Sequence, residues 1–171
     1  CWPRPMGMLP DPMPVARPEP DEGNRFQGDH VRLLLRSYRL LTGQDLIQGP
    51  WDSVETARRV YHSAFVLLSH DSAADPLFTY ANLKAQELFD TPWSQFVTLP
   101  SRYSAEPLLR EARQTLLERV SRQGYIDDYQ GVRISGTGRR FRVRNATVWN
   151  LLDEDGRVCG QAATFGQWQY L

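Results

Sequence analysis

The chain has 171 residues, enough for one domain and a tail. Hydrophobic residues make up 41% and charged residues 23%, which excludes a fibrous or disordered protein over most of the length. Lys and Arg total 20 against 20 Asp and Glu, so no net field draws the chain toward nucleic acid or an anionic membrane. No apolar run approaches the roughly 20 residues of a membrane span. The two cysteines, Cys1 and Cys159, are too few for a disulfide framework or an all-cysteine zinc site. With no signal-peptide pattern at the start, a reducing cytoplasm is the expected setting.

The first twenty residues hold seven of the 12 prolines, and residues 1–27 are expected to form a flexible or polyproline-like tail. A helical cap over 28–63 follows. Asp29 is a plausible N-cap, after which Val31, Leu34, Leu35, Tyr38 and Leu41 recur at helical spacing until Gly43 stops the run. A second helix is expected over 53–62, and a domain over 64–171. Residues 65–69 and 77–81 read as two short strands joined through Asp71, Asp75 and Pro76. Asn82 then caps a helix over 83–89, Thr91-Pro92-Trp93 opens another turn, and Pro100 and Pro107 bracket a loop. The longest helix is expected over 107–123, with Leu109, Ala112, Leu116 and Val120 on one stripe and Gly124 ending it. Strands over 125–134, 139–152 and 157–165 follow, separated by glycine-bearing turns at Ser135-Gly136-Thr137-Gly138 and Asp153-Glu154-Asp155-Gly156. Two short strands, a helical middle and a three-stranded meander predict an α+β domain with a five-stranded antiparallel sheet.

Leu77-Phe78-Thr79-Tyr80-Ala81-Asn82 with Ala85 and Glu87-Leu88-Phe89 resembles the strand-to-helix passage of PAS domains. Gly138-Arg139-Arg140-Phe141-Arg142-Val143 and Asp153-Glu154-Asp155-Gly156 resemble that family's later hairpins. A narrower resemblance is to the MEKHLA domain, a PAS-like family. It is carried by Leu99-Pro100-Ser101-Arg102-Tyr103-Ser104-Ala105-Glu106-Pro107, Gly131-Val132-Arg133-Ile134-Ser135, Asn145-Ala146-Thr147-Val148-Trp149-Asn150-Leu151 and Gly160-Gln161-Ala162-Ala163-Thr164-Phe165. That domain occurs as small bacterial proteins and at the C-terminus of plant class III homeodomain–leucine zipper transcription factors. The resemblance implies a PAS-like sheet with helices on one side, an N-terminal helical cap, and a sensory or interaction role. No homeobox or leucine-zipper pattern is visible in these residues, so the DNA-binding role of the plant proteins is not expected to transfer.

A PAS-like fold implies an apolar pocket between the sheet and the central helices. Candidate lining residues are Phe78, Tyr80, Phe89, Trp93, Phe96, Phe141, Val143, Thr147 and Cys159; the same side chains would equally make a packed core. A small apolar ligand or a partner protein is expected. The apolar stripe of the first helix (Val31, Leu34, Leu35, Tyr38, Leu41) is expected to cap the sheet and to mediate a homodimer.

Cys159 sits in the last predicted strand, not at the helix start that flavin photoreceptors of the light-oxygen-voltage kind need, and the long helix holds no His for haem. His30, His62 and His70 lack metal-ligand spacing and read as surface or cap residues, so neither metal nor cofactor is expected. Arg140, Arg142 and Arg144 alternate with Phe141 and Val143, placing three guanidinium groups on one face with Arg133 nearby. No aromatic residues interleave on that face, so direct nucleic-acid binding is not expected. No nucleophile elbow or phosphate loop is present and no enzyme is expected. The alternatives are a small-molecule enzyme using Asp127, Asp128 or Tyr80 as acid or base, and a purely structural dimerisation module.

Overall fold

A computed structural model describes residues 17–104 and 110–171. It holds α1 (Gly28–Thr42), α2 (Val54–Tyr61), β1 (Val66–Asp71), β2 (Phe78–Ala81), α3 (Leu83–Leu88), α4 (Trp93–Phe96), α5 (Arg110–Gln123), β3 (Tyr125–Ile134), β4 (Arg140–Leu152), β5 (Val158–Phe165) and β6 (Gln167–Tyr170). The strands form an antiparallel sheet in the order β2-β1-β5-β4-β3, and β6 pairs β4. This is the expected α+β, PAS-like architecture with one strand more than the five predicted. After Phe165 the chain bends at Gly166, and Gln167–Tyr170 takes the edge of β4 that β5 leaves free, from Phe141 to Arg144.

Helices cover both faces of the sheet. On one face Val66, Leu68, Phe141, Val143 and Phe165 pack against Ala85, Leu88 and Phe89 of the α3 region and Phe96 of α4. On the other, Leu67, Trp149, Leu151 and Ala162 pack against Val31, Leu34 and Leu35 of α1 and Ala57, Val60 and Tyr61 of α2. The amphipathic stripe of α1 is therefore spent within its own chain: Val31 and Leu34 are 0% exposed and Leu35 1%. Removing a Leu or Val side chain from water contributes about 1.5–3 kcal/mol, which explains why the stripe seals the sheet. These three side chains do not lie at a surface that a second copy could reach, so the homodimer expected through this face does not follow from it.

Local chemistry sets the joints. Asn82 caps α3 by accepting from the Ala85 N–H at 3.1 Å. Gly124 ends α5 at φ 91°, a conformation that suits glycine, with its N–H on the Val120 carbonyl at 2.8 Å. Leu116 and Val120 are buried as their stripe predicts, while the expected start of that helix and the roles of Leu109 and Ala112 lie outside the described residues.

Order also begins earlier than the expected tail boundary at residue 27. Residues 1–16 lie outside the described set, but Glu22–Gln27 form a 3-10 helix opened by an Asp21–Asn24 capping box. Arg25, Phe26 and Gln27 adopt left-handed φ of 58°, 54° and 55°, at a cost of about 1–2 kcal/mol each. The turn drives Phe26 into the core, 6% exposed, between Tyr61 and His62 and under the Arg58 guanidinium.

Candidate functional site

The face of the sheet that looks toward α3–α5 encloses a small cavity of about 70 Å3. Its apolar wall includes Leu68, Phe78, Phe89, Val143, Val148 and Phe165, and its polar wall His70, Ser104, Tyr129 and Arg133. Two irregularities decide which side chains reach it. In β1–β2, Ser69 pairs Tyr80 but His70 pairs Phe78, so Thr79 is an extra residue in β2. That bulge breaks the alternation and sends Phe78 and Tyr80 to opposite faces. In β4, Asn145 adopts φ 52° where the register against β3 slips. Asparagine tolerates this conformation, and the slip keeps Phe141, Val143 and Ala146 in the same core layer despite their odd spacing.

The nine candidate lining residues consequently divide. Phe78, Phe89, Phe96, Phe141 and Val143 belong to the layer around the cavity, and three of them (Phe78, Phe89, Val143) line it directly. Tyr80, Trp93, Thr147 and Cys159 lie on the α1 side, which corrects the expectation that they line the same pocket: the two bulges turn Tyr80 and Thr147 away, Trp93 of α4 packs on Tyr80, and Cys159 falls where the β4–β5 register shifts. Tyr80 packs edge-on to Trp93 at 5.7 Å and to Tyr61 at 6.5 Å. Trp93 donates its indole N–H to the Arg17 carbonyl at 2.7 Å. Thr147 meets the Tyr38 hydroxyl, and Cys159 packs against the α1 core, where burial raises its thiol pKa and Asp153 adds to the effect.

The α1 side carries its own polar set. His30 reaches the Ser69 hydroxyl at 2.9 Å, Ser69 meets Thr79 at 2.7 Å, and the His30 ring lies 5.9 Å from Tyr80. Burial, with the positive Arg17 as a second cause, lowers His30 from 6.5 to about 4, so the imidazole is neutral at pH 7. The surface reading of His30 and of His70, itself 9% exposed, is thus overturned, while His62 is exposed. The Tyr80 hydroxyl is fully buried with no hydrogen-bond partner, and burial raises its pKa strongly.

Bonds across the sheet fasten α1 to β4. The Trp149 indole donates to the Leu34 carbonyl at 3.2 Å, and the Leu152 N–H donates to the Ser37 hydroxyl at 2.9 Å. Arg36 donates to the Leu152 carbonyl at 3.0 Å.

Sequence reasoning missed Arg133 as a cavity group, placing it with the basic stripe. The signal was available: Tyr129, Gly131 and Arg133 alternate along β3, and Arg133 pairs Phe141, which points inward. Arg140, Arg142 and Arg144 are exposed, as the alternation predicts, and Arg144 donates to Gln169 of the unpredicted β6 at 3.0 Å. Asp127 and Asp128 are exposed and Tyr80 is buried on the α1 face, so the acid–base set considered from the sequence does not converge. No described helix is long and apolar enough to cross a membrane.

Comparison with known proteins bears on the whole. The Arabidopsis thaliana homeobox-leucine zipper protein ATHB-14 is 28% identical over 147 residues, 82% of this chain and 17% of that protein. Homeobox-leucine zipper protein HOX10 of Oryza sativa is 28% identical over 144 residues, again 82% of this chain and 17% of that protein. The chain thus spans about a sixth of these relatives. Among solved structures, a PAS domain from Colwellia psychrerythraea superposes with TM-score 0.56 at 12% identity, covering 64% of this chain and 92% of that one. An RNA-binding light-oxygen-voltage receptor superposes with TM-score 0.54 at 15% identity, over 65% of this chain and 31% of that one. At such identities the likeness is one of fold. The MEKHLA domain family model matches residues 28–170, and the chain belongs to the MEKHLA domain family.

Proposed function

We propose that the chain is a regulatory module that takes a small, largely apolar molecule between its sheet and α3–α5 and passes occupancy to the α1 cap. One observation carries this reading: β4 serves both sites with adjacent residues. Val148 lines the cavity, and the next residue, Trp149, bonds the α1 backbone from the opposite face. Interiors are close-packed and shift in discrete steps rather than flowing, so a change at Val148 is felt at Trp149. The plant relatives are homeobox-leucine zipper proteins, which supports a regulatory setting. The single described cysteine, Cys159, is a free thiol, in keeping with a reducing cytoplasm.

The small size of the cavity favours a second reading, an interaction module with a filled core whose output is a protein partner or a second copy. Native mass spectrometry of the full chain separates the two. A bound small molecule lost on partial unfolding is the result expected for the sensor. A bare mass, with no compound of a small-molecule library raising the unfolding midpoint, would overturn it in favour of the filled-core module.

A further inference from the structure

The cavity has a charged wall that an apolar ligand alone would leave unanswered. Arg133 reaches it from β3, inward like its strand partner Phe141. Its guanidinium lies 5.3 Å from the centre of the Tyr129 ring. Among the described residues the ion pairs take Arg39, Arg58, Lys84 and Arg102, and none takes Arg133. Burial lowers the pKa of the group, and among the described residues Tyr129 acts to raise it. A desolvated cation without a counter-ion is costly, and a carboxylate brought to it relieves that cost through two parallel N–H···O bonds.

An approach to the group exists. A groove of about 540 Å3 runs between α5 and β3, past Thr115, Arg119, Asp128 and Gln130. Leu116, Tyr129 and Arg133 line both the groove and the cavity. Tyr129 lies over Gly131, where any Cβ would collide with the Tyr129 hydroxyl, so glycine is what lets the ring sit on this boundary. Tyr129 therefore stands between groove and cavity while satisfying Arg133 with its ring and hydroxyl.

The geometry points to an organic monocarboxylate with a compact apolar body as the ligand of this cavity, its carboxylate on Arg133 and its body against Phe78, Phe89 and Phe165. The charge matches, since one guanidinium balances one carboxylate but not a doubly charged phosphate. The size matches a small acid: about 70 Å3 admits on the order of five water-sized groups. This inference rests on the ligand-binding reading proposed above and names the chemistry of its ligand.

Titration calorimetry on the full chain at pH 7 tests it, with propionate and butyrate, acids of the size the cavity admits, as probes and propionamide and butyramide as their neutral counterparts. The acids are expected to bind at least tenfold more tightly than the amides. Arg133→Gln is expected to bring acid and amide within twofold, and Arg133→Lys, which keeps the charge but not the fork, to fall between. Because the glutamine variant removes a half-buried charge that no described carboxylate pairs, its urea midpoint is expected to equal or exceed that of the native chain. Amides binding as well as acids, or acids undiminished in Arg133→Gln, would overturn the carboxylate assignment and leave the ligand-binding reading standing. No binding of acid or amide, with a lowered midpoint for Arg133→Gln, would overturn both.

Discussion

Asn82 joins the helical cap to the sheet, and its replacement measures how much that joint is worth. Its side-chain oxygen accepts from the Leu67 N–H at 3.2 Å and the Ala85 N–H at 3.1 Å. Its nitrogen donates to the Val60 carbonyl at 3.2 Å, the Phe65 carbonyl at 2.8 Å and the Ser63 hydroxyl at 3.1 Å. One fully buried amide thus ties the end of α2, the start of β1 and the first turn of α3. Asn82→Ala removes the cap of α3, worth about 1 kcal/mol. It also strands the Leu67 N–H in the core, at about 1–3 kcal/mol, and takes a donor from two carbonyls. The sum is about 3–5 kcal/mol. At a urea dependence of about 2 kcal/mol per molar, the unfolding midpoint falls by about 1.5–2.5 M. Asn82→Asp keeps the acceptor but loses the donors and buries a charge, so it is expected to be at least as damaging at pH 7. A midpoint shift below about 0.5 M in both variants would refute the reasoning, because the buried Leu67 N–H could then not depend on this side chain.

Further predictions follow from the α1 face. His30 is neutral in the fold and lowered to about 4, against 6.5 when unfolded. Its contribution is therefore complete above pH 6.5 and is lost as pH falls toward 4, up to about 3 kcal/mol; urea unfolding across that range should show the slope in the native chain and not in His30→Gln. Tyr80→Phe deletes a buried hydroxyl with no partner, so stability should hold or rise by about 1 kcal/mol; a loss above about 1 kcal/mol in thermal unfolding would mean that the hydroxyl is satisfied. Ser37→Ala leaves the Leu152 N–H without its acceptor and should cost about 1–3 kcal/mol, with limited proteolysis showing α1 released before the sheet unfolds.

Most of the architecture was legible because the signals were periodic or punctuated. The α1 stripe, the Asn82 cap, the Gly124 stop and the three long strands each rest on spacing that one sequence displays. The sixth strand was not legible: Gln167–Tyr170 alternates glutamine with Trp168 and Tyr170, but four residues are too short a run to distinguish it from a tail, and it forms only because β5 bends away and leaves an edge of β4 open. The candidate site was legible in composition and not in side. Strict alternation puts Phe78 and Tyr80 on one face, whereas the bulge at Thr79 separates them. The slip at Asn145 likewise puts Val143 toward the cavity and Thr147 toward Tyr38. Register slips depend on the partner strand, which the local sequence does not contain. His30 was misread for a similar reason: its partners Ser69 and Thr79 are 39 and 49 residues away.

The central claim is that occupancy of the cavity is felt at α1. Ala146→Val tests it most directly, since Ala146 lines the cavity and is 1% exposed, and the two added carbons fill space as a ligand would without touching α1. Amide and indole resonances of the 15N-labelled chain are the readout. The account predicts shifts at Leu34, Ser37 and the Trp149 indole N–H as well as at the cavity wall. Shifts confined to the wall and to α3–α5, with α1 unchanged, would contradict it.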